Sequence, residues 1–187
     1  MNAFNVARAS RIIRSGGVVA HATEGVWGLA CNALDRAAVR RVLSIKRRAM
    51  DKGLIVIGAC ADDFAPELDP LPPDAREAIV GAWPGAVSWV VPNVRFPVEV
   101  TGRRSTVAIR VPGHEQARSL CRAVGQPLVS TSANRSGQPA PLSELQVRSA
   151  VGGEVDYVLA GETSGRRGPS EVKAWQGAVF RAGGTVG

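Results

Sequence analysis

Histidine, cysteine and aromatic residues are scarce in this sequence, and each shortage argues against a class of protein. The 187 residues include two histidines and three cysteines, and the cysteines lie far apart without a C-x-x-C pair. Neither a disulfide framework nor a zinc site built from paired cysteines is therefore indicated. We expect Cys31, Cys60 and Cys121 to be reduced and semi-buried. Aromatic residues make up 5% of the chain, which leaves few stacking platforms for single-stranded nucleic acid.

Long apolar runs are also missing. No run approaches the roughly 20 apolar residues that a helix needs to span a bilayer. The first residues lack the basic-then-apolar pattern of a signal peptide, so we expect a cytoplasmic protein without a membrane segment. With 45% hydrophobic residues, a chain of this length can bury the core of one domain. We place that domain at residues 5–182 and a flexible tail at 183–187.

Recognisable catalytic motifs are absent as well. His21 and His114 have no partners at the spacing of a catalytic triad or a metal site, so we interpret both as structural residues. Neither the glycine-rich phosphate loop nor the dinucleotide fingerprint occurs. A reaction carried out by this chain would therefore depend on positioning and charge. Nucleotidyl transfer is such a reaction, because its reacting groups belong to the substrates.

Positive charge is what the sequence has in excess. A formal net charge of +7 and an isoelectric point of about 10.3 favour anionic partners such as nucleotides, phosphates or RNA. A basic surface kept for solubility is the alternative. Between residues 36 and 52 there are seven cations and one acid, Asp51. Four of these cations fall within the seven residues from Lys46 to Lys52, which makes this segment the strongest candidate for binding an anion.

Helical and strand periodicities mix along the chain. Helices are predicted at 4–15, 36–47, 72 to about 83, 114–124 and near 142–150, and strands at 18–20, 54–57, 87–91, 106–111, 127–129, near 155–159 and near 177–181. Asp35 is placed to cap the second helix, and Gly125 to end the fourth. This mixture predicts an α/β fold with a mixed sheet covered by helices. The glycine- and arginine-rich stretch 161–168 is the candidate for a mobile loop.

Small hydrogen-bonding side chains follow the predicted strand at 127–129. If this strand continues, Ser130, Ser132 and Asn134 point to one face, because strand side chains alternate. Three such groups on one face make a platform for a ligand. The alternative is a turn whose side chains bond its own backbone.

Two further positions are candidates for ligand binding. Arg110 shares a strand face with Ala108 and can present its guanidinium fork to a carboxylate. An edge strand or a surface face is the alternative explanation for a charge in this strand. Thr23 follows directly after the first strand, where loops of α/β sheets commonly bind ligands. Its alternative is an ordinary connection between two strands.

Four segments occur in a characteristic order and are followed by two shorter ones. The segments are HATEGVWGL at 21–29, KRRAMDKGL at 46–54, VAIRVP at 107–112, STSAN at 130–134, PSEV at 169–172 and VFR at 179–181. In this order and spacing they resemble the threonylcarbamoyl-AMP synthase family, and more narrowly its short bacterial TsaC (YrdC) form. The similarity covers residues 5–182, so we expect no additional C-terminal domain of the kind found in the long Sua5 form.

The resemblance implies a fold and a reaction. The fold is a single YrdC-like domain, in which a twisted mixed β-sheet covered by helices carries a concave basic cleft. The reaction makes L-threonylcarbamoyladenylate and pyrophosphate from L-threonine, bicarbonate and ATP, for the t6A modification at position 37 of tRNAs reading codons that start with A. Mg²⁺ is expected with ATP, without an identified protein ligand. The product would pass to the transfer machinery (TsaD, TsaB, TsaE), and direct tRNA binding is left open.

The resemblance also assigns residues. It assigns catalysis to Lys46, Arg48 and Lys52. It places ATP beside Arg48, Lys52, Thr106, Ser132, Asn134 and Arg181. It places threonine beside Thr23, Arg110, Ser130 and Ser170.

This sequence departs from the family pattern in the first loop, at His21, Ala22, Gly25 and Trp27, where tyrosine, proline, threonine and tyrosine are common. These differences concern the shape of the threonine pocket. Two other functions stay open, namely a non-catalytic RNA-binding module and a carbamoyl-handling domain like the one fused in hydrogenase-maturation proteins. The length of the chain and the segment from Lys46 to Lys52 favour the synthase.

Overall fold

Strands and helices intermix along the chain in a computed structural model, which describes residues 2–166, 168 and 170–182. The helices are α1 (Ala3–Arg14), α2 (Arg36–Ile45), α3 (Ala65–Leu68), α4 (Pro73–Gly81), α5 (Val98–Thr101), α6 (Glu115–Val124) and α7 (Glu144–Val151). The strands are β1 (Val19–Ala22), β2 (Trp27–Asn32), β3 (Ile55–Ile57), β4 (Val87–Pro92), β5 (Thr106–Arg110), β6 (Leu128–Ser132), β7 (Tyr157–Val158), β8 (Glu171–Ala174) and β9 (Val179–Arg181). Two 3-10 turns are Met50–Lys52 and Ala61–Phe64.

Each predicted helix and strand is present, with bounds that shift by a few residues. The Asp35 side chain accepts from the N–H groups of Ala37 and Ala38 at 2.9 and 3.1 Å, which caps α2 as predicted. Gly125 ends α6 in the left-handed conformation, with φ of 74°. Strands β2 and β8 and the short helices α3 and α5 were not predicted from the sequence. Gly28 lies inside β2, and an internal glycine weakens the sequence signal of a strand. The predicted tail at 183–187 lies outside the described residues.

The nine described strands form one sheet in the order β7-β1-β2-β6-β3-β5-β4-β8-β9. Three neighbouring pairs are parallel, namely β1 with β7, β3 with β5, and β4 with β8. The other five pairs are antiparallel. The predicted mixed sheet of an α/β fold is therefore confirmed.

Helices cover the two faces of the sheet unequally. On the first face, α2, α3, α4, α5 and α7 contribute buried side chains to a large core. On the second face, α1 and α6 pack against Val19 of β1, Ala30 of β2, Ile57 of β3 and Leu128 of β6. Within the described residues, strands β4, β5 and β8 contribute nothing to this second core. That part of the second face is therefore available for a cavity.

All three cysteines are free thiols in the described structure. Cys31 and Cys121 are buried and Cys60 is exposed, so the expectation that all three are semi-buried is wrong. Cys31 and Cys121 lie on elements that face the two cores, whereas Cys60 lies in the bend after β3. None of the described helices combines the length and the apolar character that a bilayer-spanning helix requires.

Candidate active site

A cavity of about 480 Å³ opens on the second face of the sheet. Gly28 and Ser130 line it, and each lies two positions along its strand from a residue of the second core, Ala30 and Leu128. Because strand side chains alternate in direction, these residues share one face of the sheet. The volume falls in the range of about 300–1,000 Å³ that is usual for sites of small molecules.

The cavity brings together most residues that the sequence assigned to ligands. Nine of them line it: Thr23, Arg48, Lys52, Thr106, Arg110, Ser130, Ser132, Ser170 and Arg181. Lys46 and Asn134 are not among the lining residues. These residues come from six separate parts of the chain, so their convergence depends on the sheet order.

Ser130 and Ser132 lie on β6 and share the face that lines the cavity. Val129 and Ala133, at the alternate positions, are buried in the first core. The predicted alternation is therefore confirmed for the two serines. Asn134 lies beyond the strand, and its side-chain amide donates to the carbonyls of Arg135 and Gln138. These contacts of Asn134 match the alternative explanation, a turn whose side chains bond its own backbone.

Lys46 lies behind the wall of the cavity and is only 3% exposed. Its ammonium donates to the carbonyl of Ser132 and, at 2.9 Å, to the carbonyl of Asn134. Burial, with the nearby Arg48 charge, lowers the pKa of Lys46 to about 8. Lys46 therefore holds the segment that carries Ser132 in place, and these contacts are those of a positioning residue. Its predicted part in catalysis stays a prediction.

Positive charge dominates the described lining. Six lining residues are cations, namely Arg48, Lys52, Arg104, Arg110, Arg166 and Arg181. Glu24 is the one acid among the described lining residues. Such an imbalance attracts an anionic ligand, and walls of low polarity strengthen the attraction.

The cations of α2 do not contribute to this charge, although the sequence suggested that they would. Arg36 and Arg40 both pair with Glu99, at 3.1 and 3.7 Å. Arg41 pairs with Asp156. Because these two acids pair with three of the cations, the cations between residues 36 and 52 do not form a continuous basic surface. Both acids are distant from them in the sequence.

Arg110 and Glu24 form a buried ion pair at the cavity wall. Nη2 of Arg110 donates to Oε1 of Glu24, and Nε donates to the carbonyl of Gly85 at 2.7 Å. Oε1 of Glu24 also accepts from the N–H of Gly113 at 2.6 Å. Burial alone would raise the pKa of Glu24, but the Arg110 charge and these hydrogen bonds outweigh it and lower that pKa. A guanidinium has five N–H groups, so three remain beyond these two contacts.

The interpretation of Arg110 as a residue of an exposed edge is excluded. Strand β5 lies between β3 and β4 in the sheet, and Arg110 is 8% exposed. Buried charges need partners, and Glu24 supplies one. Oε2 of Glu24 has no hydrogen-bond partner in the described part of the chain.

Ser170 and Arg181 form the opposite rim. Arg181 donates from Nε to the carbonyl of Ser170 at 3.0 Å and from Nη2 to its hydroxyl at 3.2 Å. The Ser170 hydroxyl lies 3.1 Å from that of Ser88. On the first loop, the hydroxyl of Thr23 donates to the carbonyl of Val26 at 2.6 Å, which leaves its oxygen lone pairs as acceptors.

Gly25 lets the backbone near residue 166 approach the first loop. A Cβ atom added to Gly25 would lie 2.6 Å from the carbonyl oxygen of Gly168 and 2.8 Å from that of Arg166. The N–H of Arg166 donates to the carbonyl of Glu24 at 3.1 Å. The glycine therefore permits the contact that brings Arg166 to the cavity.

His21 is fully buried beside the cavity. Its Nδ1 lies 3.1 Å from the carbonyl of Ala22, and Nε2 has no partner in the described residues. A Cβ atom added to Gly28 would lie 3.4 Å from this Nε2, an ordinary van der Waals contact, and 3.2 Å from the carbonyl oxygen of Thr131. Burial, with the His114 charge, lowers the pKa of His21 to about 4. The side chain is therefore neutral at pH 7.

The stability of the protein should depend on His21 in mild acid. The pKa of its imidazole is about 4 in the folded chain and 6.5 in the unfolded one. Between these values the unfolded chain binds more protons at this site, so stability is lost as the pH falls from 6.5 to 4. We expect the His21→Phe variant to lose about 2–3 kcal/mol less than the wild type over this interval. Urea unfolding at pH 7 and pH 4.5 measures the difference, and an equal loss in both proteins would contradict it.

Three charged residues among the described lining residues were not assigned from the sequence: Glu24, Arg104 and Arg166. Glu24 follows Thr23 directly, but it would have become a candidate only if Arg110 had been predicted to be buried, because a buried guanidinium requires a counter-charge. Arg104 lies just before the predicted strand at 106–111. Its position next to the cations of the segment at 46–54 depends on the order of strands in the sheet. Arg166 lies in the stretch interpreted only as a mobile loop.

Known proteins resemble this chain over nearly its whole length. A profile of the Sua5/YciO/YrdC family, described as "Telomere recombination", matches residues 11–183. A protein of Nitrosococcus oceani named threonylcarbamoyl-AMP synthase is 44% identical over 171 residues, which cover 91% of this chain and 92% of that protein. A protein of the same name from Pseudomonas fluorescens is 43% identical over 174 residues, which cover 92% and 94%.

A solved structure extends the comparison. The structure of P. abyssi Sua5 complexed with L-threonine has a TM-score of 0.92 and 32% identity to this chain. The match covers 98% of this chain and 55% of that protein, so the chain spans about half the length of that structure. The order of motifs along the sequence thus identified the relatives correctly.

Proposed function

This chain belongs to the Sua5/YciO/YrdC family, and we propose that it is a threonylcarbamoyl-AMP synthase, a nucleotidyltransferase that joins L-threonine, bicarbonate and ATP. The observation that carries the proposal is the cavity whose described lining contains six cations, one acid and several hydroxyl groups. The relatives of the same name, at 43–44% identity over nearly the whole chain, support it.

We place the phosphates of ATP beside Arg48 and Lys52. Arg48 holds its guanidinium against the carbonyl of Gly53, with an N–O distance of 3.0 Å. Burial lowers the pKa of Arg48 and the charge of Arg104 adds to this effect, whereas the carboxylate of Asp51 acts in the opposite direction. A polyphosphate would relieve that repulsion by supplying the missing negative charge. Ser132, Thr106 and Arg181 line the same space and would complete the ATP site.

We place threonine beside Arg110. The N–H groups that Arg110 does not use for Glu24 and Gly85 would bind the threonine carboxylate. Oε2 of Glu24, which lacks a partner in the described residues, offers a negative group to the amino group of the same substrate. Thr23, Ser130 and Ser170 would then orient its remaining polar atoms.

The chemistry requires no protein nucleophile. The amine of threonine and bicarbonate form a carbamate and release water. A carbamate oxygen attacks the α-phosphorus of ATP, and the bond from that phosphorus to the pyrophosphate oxygen breaks. The cavity would align the two anions and stabilise the developing charge. Mg²⁺ enters as part of the ATP substrate.

The product is a reactive mixed anhydride, so we propose that a tRNA threonylcarbamoyl transfer machinery of the TsaD, TsaB and TsaE type consumes it. ATP and tRNA are cytoplasmic, and we propose the cytoplasm as the site of the reaction. Direct binding of tRNA is not needed for the steps above.

Release of pyrophosphate tests the proposal. We expect it to require threonine and bicarbonate together, since neither alone forms the carbamate. Serine lacks the methyl group, and we expect its kcat/KM to be lower by roughly 1–3 kcal/mol in transition-state binding. A coupled pyrophosphate assay that omits each substrate in turn measures both effects.

The assay also separates the alternatives. Folded protein that releases no pyrophosphate with all three substrates and Mg²⁺ would contradict the proposal. Binding of RNA, or turnover of carbamoyl phosphate, by the same preparation would then favour the RNA-binding or the carbamoyl-handling function.

A further inference from the structure

Two guanidinium groups approach Gly53 on the wall of the cavity. The guanidinium of Arg48 donates to the carbonyl of Gly53 at 3.0 Å. A Cβ atom added to Gly53 would lie 3.0 Å from Nη1 of Arg104, so the second guanidinium reaches the same residue from another side. Lys52 immediately precedes Gly53, and all three cations line the cavity. We call Arg48, Lys52 and Arg104 the cation cluster.

The backbone that carries the cation cluster is tightly packed. A Cβ atom added to Gly102 would lie 2.6 Å from the carbonyl oxygen of Asp51 and 2.8 Å from that of Met50. The N–H of Leu54 donates to the carbonyl of Val100 at 2.8 Å. The turn that bears Lys52 and the turn that bears Arg104 are therefore held together by main-chain contacts, which keep the backbones of these two residues close.

The turn before Arg104 has an uncommon backbone. Gly102 and Arg103 have φ of 65° and 66°, and the left-handed region is unfavourable for a residue with a Cβ atom. This turn directs Arg104 to the cavity, whereas Arg103, which is exposed like Arg104, does not line it. Two adjacent arginines thus differ in their relation to the site.

Within the described residues, no carboxylate lies within 4.0 Å of a charged nitrogen of the cation cluster. Nε of Arg48 is buried without a partner, and the side chain of Arg104 makes one long bond, 3.4 Å from Nη1 to the carbonyl of Thr101. The charge of Arg104 lowers the pKa of Arg48 and that of Asp51 raises it, so the two guanidinium groups repel each other and a nearby carboxylate offsets part of the repulsion. The arrangement suits an anion with several negative oxygens.

We propose that Arg104 is a further ATP-binding residue and that, with Arg48 and Lys52, it holds the β- and γ-phosphates. This inference rests on the proposed function for the identity of the ligand. The α-phosphorus then lies toward Arg181 and the serines of β6, on the side of Arg110. Arg104 thereby orients ATP so that pyrophosphate leaves toward the cation cluster and the α-phosphorus faces the amino-acid end of the cavity.

Matched substitutions test the proposal. Arg104→Ala and Arg103→Ala each remove one positive charge from adjacent positions, and Lys52→Ala serves as the reference for a lining cation. Displacement of a fluorescent ATP analogue measures the affinities for ATP, AMP and inorganic pyrophosphate, all with Mg²⁺. We expect Arg104→Ala to weaken ATP and pyrophosphate by about 10- to 100-fold, the loss of one charge-assisted hydrogen bond to phosphate. Arg103→Ala should change them by less than about threefold, since Arg103 does not line the cavity and acts on the ligand only through solvent.

AMP identifies the end of the nucleotide that Arg104 contacts. We expect Arg104→Ala to leave the affinity for AMP within about twofold, because AMP carries neither the β- nor the γ-phosphate. Equal losses for AMP and ATP would overturn the assignment to the β- and γ-phosphates. If Arg104→Ala and Arg103→Ala change the affinity for ATP equally, Arg104 does not contact the nucleotide and the proposal is wrong.

The proposal and the synthase activity fail in different ways. If the wild type makes the adenylate and Arg104→Ala binds ATP normally, only the role of Arg104 is wrong. If the wild type makes no adenylate but binds pyrophosphate through Arg104, the synthase function is wrong and the anion site stands. A rise in the KM for threonine without a change for ATP would move Arg104 to the amino-acid site and overturn the proposal.

Discussion

Replacing Arg110 by alanine is expected to damage both the fold and the use of threonine. The substitution leaves Glu24 buried without its counter-charge, and breaking a buried ion pair in this way costs about 3–5 kcal/mol of folding free energy. Threonine use should weaken by about 2–5 kcal/mol in kcat/KM, the scale for losing a buried charged partner. ATP affinity should change far less. Urea unfolding and steady-state kinetics measure the two effects.

A double variant separates the fold from the function. In Arg110→Ala/Glu24→Gln the unpaired carboxylate is gone, so we expect much of the lost stability to return. The threonine carboxylate would still lack its guanidinium, so the threonine defect should persist. Recovery of threonine use in the double variant would exclude Arg110 as the carboxylate ligand, as would equal losses for threonine and ATP in the single variant.

Replacing Lys46 by methionine is expected to loosen the wall of the cavity. The ammonium of Lys46 bonds the carbonyls of Ser132 and Asn134, and methionine cannot donate to either. Leaving two buried acceptors unpaired should lower the free energy of unfolding by about 2–4 kcal/mol. Turnover should also fall, because Ser132 lies in the segment that Lys46 fixes.

Lys52→Met is the matched control, because Lys52 lines the cavity and is exposed. We expect its stability to stay within about 0.5 kcal/mol of the wild type, while its use of ATP declines. Denaturation curves should separate the two variants, because only Lys46→Met is expected to lose stability, whereas kinetics should show a loss of activity in both. A Lys46→Met variant of wild-type stability with impaired ATP binding would instead place Lys46 in direct contact with the substrate.

The order of helices and strands was accessible from the sequence because it follows local patterns. Asp35 and Gly125 mark helix ends by their own side chains and backbone preferences, and both mark them as predicted. Strand alternation placed Ser130 and Ser132 on one face, which the register of β6 confirms. β2 was missed because Gly28 interrupts its apolar pattern.

Long-range pairs were not accessible, since nothing local in the sequence specifies them. Glu24 and Arg110 are 86 residues apart. The burial of Arg110 is explained only by its ion pair with Glu24, which the sequence does not indicate. The cations of α2 were counted toward an anion site, whereas Glu99 pairs with two of them. Charge counts along a sequence therefore overestimate the charge available to a ligand, because distant acids neutralise part of it.

Isotope-labelled bicarbonate gives the most direct measurement of the proposed reaction. Purified protein, incubated with threonine, labelled bicarbonate, ATP and Mg²⁺, should yield an adenylate that carries the labelled carbon, detected by mass spectrometry. The labelled product should disappear when threonine or ATP is omitted. Folded protein that cleaves ATP without placing the label in an adenylate, or that forms no adenylate at all, would contradict the assignment as a threonylcarbamoyl-AMP synthase.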